Sequence, residues 1–261
     1  MISALYVSKT GLAAQDKQLS TISNNLANTS TVGFKRDRAM FEDLLYQIQR
    51  QPGAKETQDS QLPSGLQIGT GVRVVATQKQ FTQGNLQVTE QALDLAINGR
   101  GFLQVLQPDG TIAYTRNGQL QLNSEGQIVT NQGLVLEPAI TVPELTNKIT
   151  IGRDGTVNAY TEGTVAPTQL GNITLTDFVN PAGLQAIGEN LFVETVASGN
   201  ATQGAPGENG MGALLQGQLE SSNVDIVEEM VNMITTQRAY EMNSKVVSTA
   251  DQMLQFITQN L

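Results

Sequence analysis

The chain has 261 residues, enough for two modest domains with real cores, and it carries a net charge of −9 with only 15% charged residues. Binding to phosphate needs a concentrated basic surface, so no nucleic-acid partner is expected. There is no Cys and no His, which removes disulfides, thiol chemistry and the commonest general base and metal ligand; no catalytic residue, cofactor or metal site is expected.

From the first residue to about Asn28, Leu5, Leu12, Leu19 and Leu26 stand seven apart, with Ile2 and Ile22 on neighbouring turns. A narrow seven-residue apolar stripe predicts a helix that packs along another helix. Gly11 weakens it by about 1 kcal/mol relative to Ala. The N-terminus has no basic segment followed by an apolar core and a cleavage site, and no run approaches 18 apolar residues. Neither a cleaved leader nor a membrane span is expected.

After Asn28 the helical pattern breaks at Thr29 to Gly33, and Phe34 leads into the one basic cluster, Lys35, Arg36 and Arg38. Such a cluster is a solvated loop face or a contact with an acidic neighbour. Phe41, Leu44, Leu45 and Ile48 have helical spacing, yet Pro52-Gly53 and Pro63-Ser64-Gly65 bound a polar run suited to a loop or a long hairpin arm. Pattern alone leaves both open.

From Val72 to about Leu219 short alternating runs are separated by turn chemistry. Val72, Val74 and Ala76 alternate with their neighbours, as do Leu93, Leu95 and Ile97. Asn98-Gly99, Asp109-Gly110, Asn117-Gly118, Glu125-Gly126 and Asp154-Gly155 supply residues for tight turns. An antiparallel β-domain is predicted. Asn98-Gly99-Arg100-Gly101 reads as a hairpin, since no helical pattern follows it to hold a phosphate. The run from Ser198 to Gly212 is small, polar and glycine-rich and reads as a surface loop or linker. Carboxylates that could serve a hydrolase are Asp94, Asp109, Asp154, Asp177, Glu189 and Glu194, but Asp109 and Asp154 precede Gly and suit turns.

The last segment, from about Asn223, carries Ile226, Met233, Tyr240, Val247, Leu254 and Leu261 in a second seven-residue series without Pro or Gly. Ser221, Ser222 and Asn223 can cap it, and Asp225, Glu228 and Glu229 place acid at the positive end of its dipole. At 1.5 Å per residue it reaches roughly 50 Å. The two terminal helices pair within one chain or with helices of other copies. The expected fold is α+β: long N- and C-terminal helices forming a coiled-coil-like unit, with an antiparallel β-rich domain inserted between them.

Three stretches carry a resemblance: SNNLANTSTVGFKR (23–36), LDLAINGRGFLQV with AYTRNGQLQLNSEGQIVT (93–105 and 113–130), and SNVDIVEEMVNMITTQRAYEMNSKVVSTADQML (222–254). Together they resemble the bacterial flagellar axial family of rod and hook proteins, in the family's order. FEDLLYQIQRQPG (41–53) and LPSGLQIGTGV (62–72) are similar to the stretch of its distal rod branch. The resemblance implies a structural subunit of the flagellar basal body, not an enzyme. It implies an N-terminal helix at 1–30, a connector arm at 31–71, a β-rich outer domain at 72–220 and a C-terminal helix at 221–261. The assembly interface would be Leu5, Leu12, Leu19, Ile22, Leu26, Ile226, Met233, Tyr240, Val247, Leu254 and Leu261. The arm would present Phe34, Phe41, Leu44, Leu45, Leu66 and Ile68.

The implied partners are further copies in a helical homopolymer, proximal rod proteins, hook protein, rod-surrounding ring proteins and exported flagellar subunits in the lumen. Export would run through the type III apparatus, with the rod crossing the periplasm. The other readings are a proximal rod or hook-type subunit, a carboxylate-dependent hydrolase of cell-wall glycan, and a stand-alone adhesin.

Overall fold

The computed structural model describes residues 2–51, 64–161 and 166–259. The chain forms two compact units, one of Met1–Ala27, Asp37–Gln78 and Asp225–Leu261, the other of Asn28–Arg36 and Lys79–Val224. The architecture is α+β, with an N-terminal helix, a β-rich body and a C-terminal helix.

In the first unit, α1 spans Ile2–Ala27 and α2 spans Ile226–Gln259. The N-terminus of α2 is capped by Asp225, whose Oδ1 accepts the Val227 N–H at 2.8 Å and the Glu228 N–H at 3.2 Å. Glu228 and Glu229 add charge to the same turn, where the dipole favours it. Ser221, Ser222 and Asn223, which the sequence offers as caps, lie outside the helix, and Asn223 has other work. The Asn25 side chain closes the loop that follows α1: its Nδ2 donates to Asp37 O at 2.8 Å and its Oδ1 accepts Asp37 N–H at 2.9 Å.

The ambiguous segment is extended. Asp37–Asp43 pairs with Val72–Lys79, and Tyr46–Arg50 runs antiparallel to Leu66–Gly69 with Tyr46 opposite Gly69. Leu44 N–H to Gly71 O at 2.8 Å joins the two ladders. The helical spacing of Phe41, Leu44, Leu45 and Ile48 yields to strand pairing because a helix gains from such a stripe only when it buries it. Here Phe41, Leu45 and Ile48 are exposed. The polar run at 54–61 lies outside the described residues.

The second unit is built on a seven-stranded antiparallel sheet. Its order is Gln185–Gly188, Leu191–Val193, Ile112–Thr115, Leu103–Leu106, Val135–Glu137, Ile128–Thr130 and Leu120–Leu122. Thr146–Ile151, Thr156–Thr161 and Thr168–Asn172 form a three-stranded sheet. Shorter pairs join Leu175–Asp177 to Thr202–Gly204, Leu95–Asn98 to Ala213–Gln216, and Leu86–Val88 to Gln218–Glu220. Leu103, Val105, Ile128, Leu136, Val157, Ile173 and Leu175 form its apolar core. A second cluster stacks Phe102, Tyr114, Phe178 and Phe192 edge to face, with centroids from 4.8 to 6.1 Å apart, the arrangement that ring quadrupoles favour.

Asp109-Gly110, Glu125-Gly126 and Asp154-Gly155 sit in the loops of three adjacent-strand hairpins, with each Gly at positive φ. Gly118 instead permits close approach, since a Cβ there would overlap Leu95 O. One expectation is corrected and another narrowed. Asn98-Gly99 closes no hairpin: Leu95–Asn98 pairs with Ala213–Gln216, more than a hundred residues on in the sequence, and Gly99 lies against Gly212. The run from Ser198 to Gly212 is the loop of the two alternatives and not a linker, with one short strand, Thr202–Gly204, set in it. It buries Ser198 and Met211. Glycine-rich composition reports backbone freedom, which a long-range sheet contact uses as readily as a loop.

Candidate assembly surface

The α2 helix is covered along one face and open along the other. The covered face carries Glu229, Asn232, Thr236, Ala239, Asn243 and Ala250, with Glu229 and Thr236 buried. The α1 helix packs beside α2 in this unit, and a Cβ on Gly11 would stand 3.2 Å from Asn243 Nδ2. The glycine that weakens α1 thus gives it closeness to its neighbour. On α1 the covered residues include Ser8, Ala14, Ile22 and Asn25.

The opposite side of α2 presents Val227, Met230, Val231, Ile234, Met242, Val246, Met253 and Phe256, all exposed, Val227 and Phe256 at 70% each. At 100° per residue Val227, Met230, Val231, Ile234, Met242 and Phe256 cluster about the direction opposite Thr236, with Val246 and Met253 on one flank. The covered face is mixed, since Val247 and Leu254 share the direction of Thr236 and are half-buried, while most of the large apolar side chains of α2 stand open.

The seven-residue series falls between these faces. Leu5, Leu12, Leu19 and Leu26 are half-buried and Ile22 is buried. Ile226 and Tyr240 are exposed, whereas Met233, Val247 and Leu254 are half-buried. A strict seven-residue repeat drifts by about 20° per heptad on a straight helix, so the series starts on the open flank and turns into the covered face. Leu261 lies outside the described residues. Of the residues expected on the arm, Leu45 (89% exposed), Phe41, Leu66 and Ile68 stand open on the hairpin and Leu44 is half-buried. Phe34 is buried in the β-rich unit, with Lys79 Nζ 5.2 Å from its ring centre.

Lys35 is buried as well, so the solvated-loop reading of the basic cluster fails there. Its Nζ lies 2.6 Å from Glu220 Oε1 and donates to Thr82 O at 2.8 Å. Arg116 Nη1 meets Glu220 Oε2 at 3.1 Å, its Nη2 donates to Gly99 O at 2.8 Å, and its guanidinium lies 5.4 Å from the Phe102 ring centre. Glu220 Oε1 also accepts the Gly84 N–H at 2.9 Å. Burial pushes the Lys35 ammonium below the ordinary lysine value; Glu220 opposes that shift and Arg116 adds to it.

Asn223 sits in the same unit. Its Oδ1 accepts Arg36 N–H at 2.7 Å and its Nδ2 donates to Gln80 O at 2.8 Å. Gly33 completes the clasp: its N–H donates to Glu220 O at 2.8 Å, its φ is +71°, and a Cβ would meet Arg116 C at 2.8 Å. Lys35, Arg116, Glu220 and Asn223 thus converge by their side chains, with the backbone of Gly33 and Arg36 beside them. Sequence reading missed Arg116, Glu220 and Asn223, because nothing local marks a partner 185 residues away.

Four of the six candidate carboxylates have structural duties. Asp109 Oδ1 accepts Thr111 N–H and O–H, and Asp154 Oδ1 accepts those of Thr156. These bonds hold both carboxyls below the usual range. Asp94 accepts the Thr89 hydroxyl and Asp177 pairs with Arg100. No group of three or more acidic residues that could hold a metal ion occurs among the described residues.

Family models match in three places. The flagella basal body rod protein model matches residues 5–35, the flagellar hook protein FlgE/F/G D1 domain matches 96–159, and the flagellar basal body rod FlgEFG protein C-terminal model matches 215–260. The chain is similar to the flagellar basal-body rod protein FlgG of Buchnera aphidicola subsp. Schizaphis graminum, 55% identical over 259 residues that cover 99% of this chain and 100% of the relative. The FlgG of Caulobacter vibrioides is 49% identical over 257 residues, 98% of each chain. The FlgG of Bacillus subtilis is 37% identical over 262 residues, 98% of this chain and 97% of the relative. With both terminal helices, the β-rich body and nearly the whole length accounted for, the chain belongs to the FlgE/F/G family of flagellar hook and basal-body rod proteins.

Proposed function

We propose that the chain is a structural subunit of the flagellar basal-body rod, of its distal part, and not an enzyme. The observation that carries this reading is the uncovered apolar side of α2. Each such side chain gains roughly 1.5–3 kcal/mol on full burial, and helices of other copies laid along it supply the cover. The terminal helices then pair in coiled-coil fashion, with the seven-residue leucine and Ile226 series at the seam. A head-to-tail contact repeated along a helical path builds an open tube. In it Gln237, Ser244, Asp251 and Thr258, all exposed, would face a polar channel for exported flagellar subunits.

In this reading residues 31–71 act as the connector arm and the β-rich body as the outer layer. Proximal rod and hook proteins continue the shaft at either end, and ring proteins surround it. The rod crosses the periplasm after type III export. Electron microscopy of the purified chain at rising concentration tests the proposal: tubes or filaments are expected for the native chain and none for Val231→Asp/Ile234→Asp. A native chain that stays monomeric, or a double variant that assembles normally, overturns it.

A further inference from the structure

The sequence holds three Asn-Gly pairs, at 98–99, 117–118 and 209–210. This dipeptide invites attack of the glycine amide nitrogen on the asparagine side-chain carbonyl, because glycine has no side chain to block ring closure. The fold places the three differently. Asn98 is paired in a strand with Ala213, Gly99 is pressed against Gly212, and Gly99 O is held by Arg116. Asn117 Oδ1 accepts Gln119 N–H, and Gly118 is wedged on Leu95 O while its own O accepts Leu95 N–H. Asn209 and Gly210 are exposed, both left-handed at φ 51° and 80°, and a Cβ on Gly210 would meet nothing within 4 Å.

We propose that Asn209 is a site of spontaneous deamidation that the fold singles out. The Gly210 nitrogen, losing its proton to solvent base, forms a bond to Asn209 Cγ, and Nδ2 departs as ammonia. Water then opens the five-membered imide at either carbonyl, leaving aspartate or isoaspartate and one added negative charge. The flanks hold while the tip reacts: Met211 N–H bonds Glu208 O at 2.8 Å, Gly212 N–H bonds Arg100 O at 2.7 Å, and Met211 is buried. The product is a charged mark on the β-rich unit that accumulates with the age of the subunit.

The test is peptide mapping by mass spectrometry of the full chain, incubated folded and in denaturant at mildly alkaline pH. Asn209 should convert in the folded chain at least about tenfold faster than Asn98 or Asn117, a gap that closes in denaturant. Asn209→Gln should abolish the early product, and Gly210→Ala should slow it. Conversion of Asn98 or Asn117 in step with Asn209 in the folded chain, or an intact Asn209 while the denatured chain converts, overturns the proposal.

Discussion

The two units differ in how completely they cover their apolar side chains. In the β-rich unit Leu103, Val105, Ile128, Leu136, Val157 and Ile173 are at zero exposure, and even its buried charges meet partners of opposite sign. In the helical unit the covered face of α2 carries Glu229, Asn232, Thr236 and Asn243 beside half-buried Val247 and Leu254, while Val231, Ile234, Met253 and Phe256 face outward. The β-rich unit encloses a continuous apolar core, with Val88, Leu145, Val179 and Val196 exposed outside it. The other leaves a debt that further copies can settle, which supports the assembly reading.

The largest way to break this contrast is to charge the open stripe. Val231→Asp/Ile234→Asp should abolish polymerisation in light scattering and leave the melting of the β-rich unit unchanged. Leu12→Asp and Val247→Asp, at half-buried positions, should block assembly and also loosen α1 against α2, visible as faster amide exchange in both helices.

Next comes the clasp. Glu220→Gln strands two buried cations and should cost the β-rich unit about 3–5 kcal/mol in denaturant unfolding. Lys35→Met leaves the Arg116–Glu220 pair balanced and should be far milder. Equal losses in the two variants would mean that shape, not charge balance, governs the site. A smaller effect, about 1 kcal/mol, is expected for Asp225→Ala, which removes the α2 cap and should show as exchange confined to the first turn.

The pH dependence is subtler. The Lys35 pKa is lower folded than unfolded, so between the two values the unfolded chain binds more protons and stability rises with pH. Unfolding midpoints of the β-rich unit should therefore climb as pH rises from the folded-state value of Lys35 toward the ordinary lysine value, and the climb should vanish in Lys35→Met. The Asp109 and Asp154 carboxyls are lowered instead. Their contribution is present above the ordinary carboxylate range and lost as pH falls through their folded values, which Thr111→Val and Thr156→Val should blunt.

Much was legible before any coordinates. Seven-residue periodicity located both helices, and Asp-Gly and Glu-Gly pairs located three hairpin turns, because each signal is local: a side chain and its neighbours within a turn decide the backbone. Illegible features share another trait. The clasp joins residues 35, 116 and 220, and the Leu95–Asn98 strand finds Ala213–Gln216. Such partners are chosen by packing across the chain, and a lysine beside Arg36 carries no mark of its burial. The segment at 41–48 was left open between helix and hairpin arm for a related reason, since its helical spacing is worth something only against a covering surface.

The sequence by itself determined the order of helix, β-rich body and helix, and the amphipathic character of the ends, since backbone propensity and side-chain period are properties of neighbouring residues. Tertiary structure alone decided which side of α2 is covered. A seven-residue series drifts around a straight helix, and only the position of α1 shows that Glu229, Thr236 and Asn243 are covered together with Val247 and Leu254 while Val231, Ile234, Met253 and Phe256 remain open.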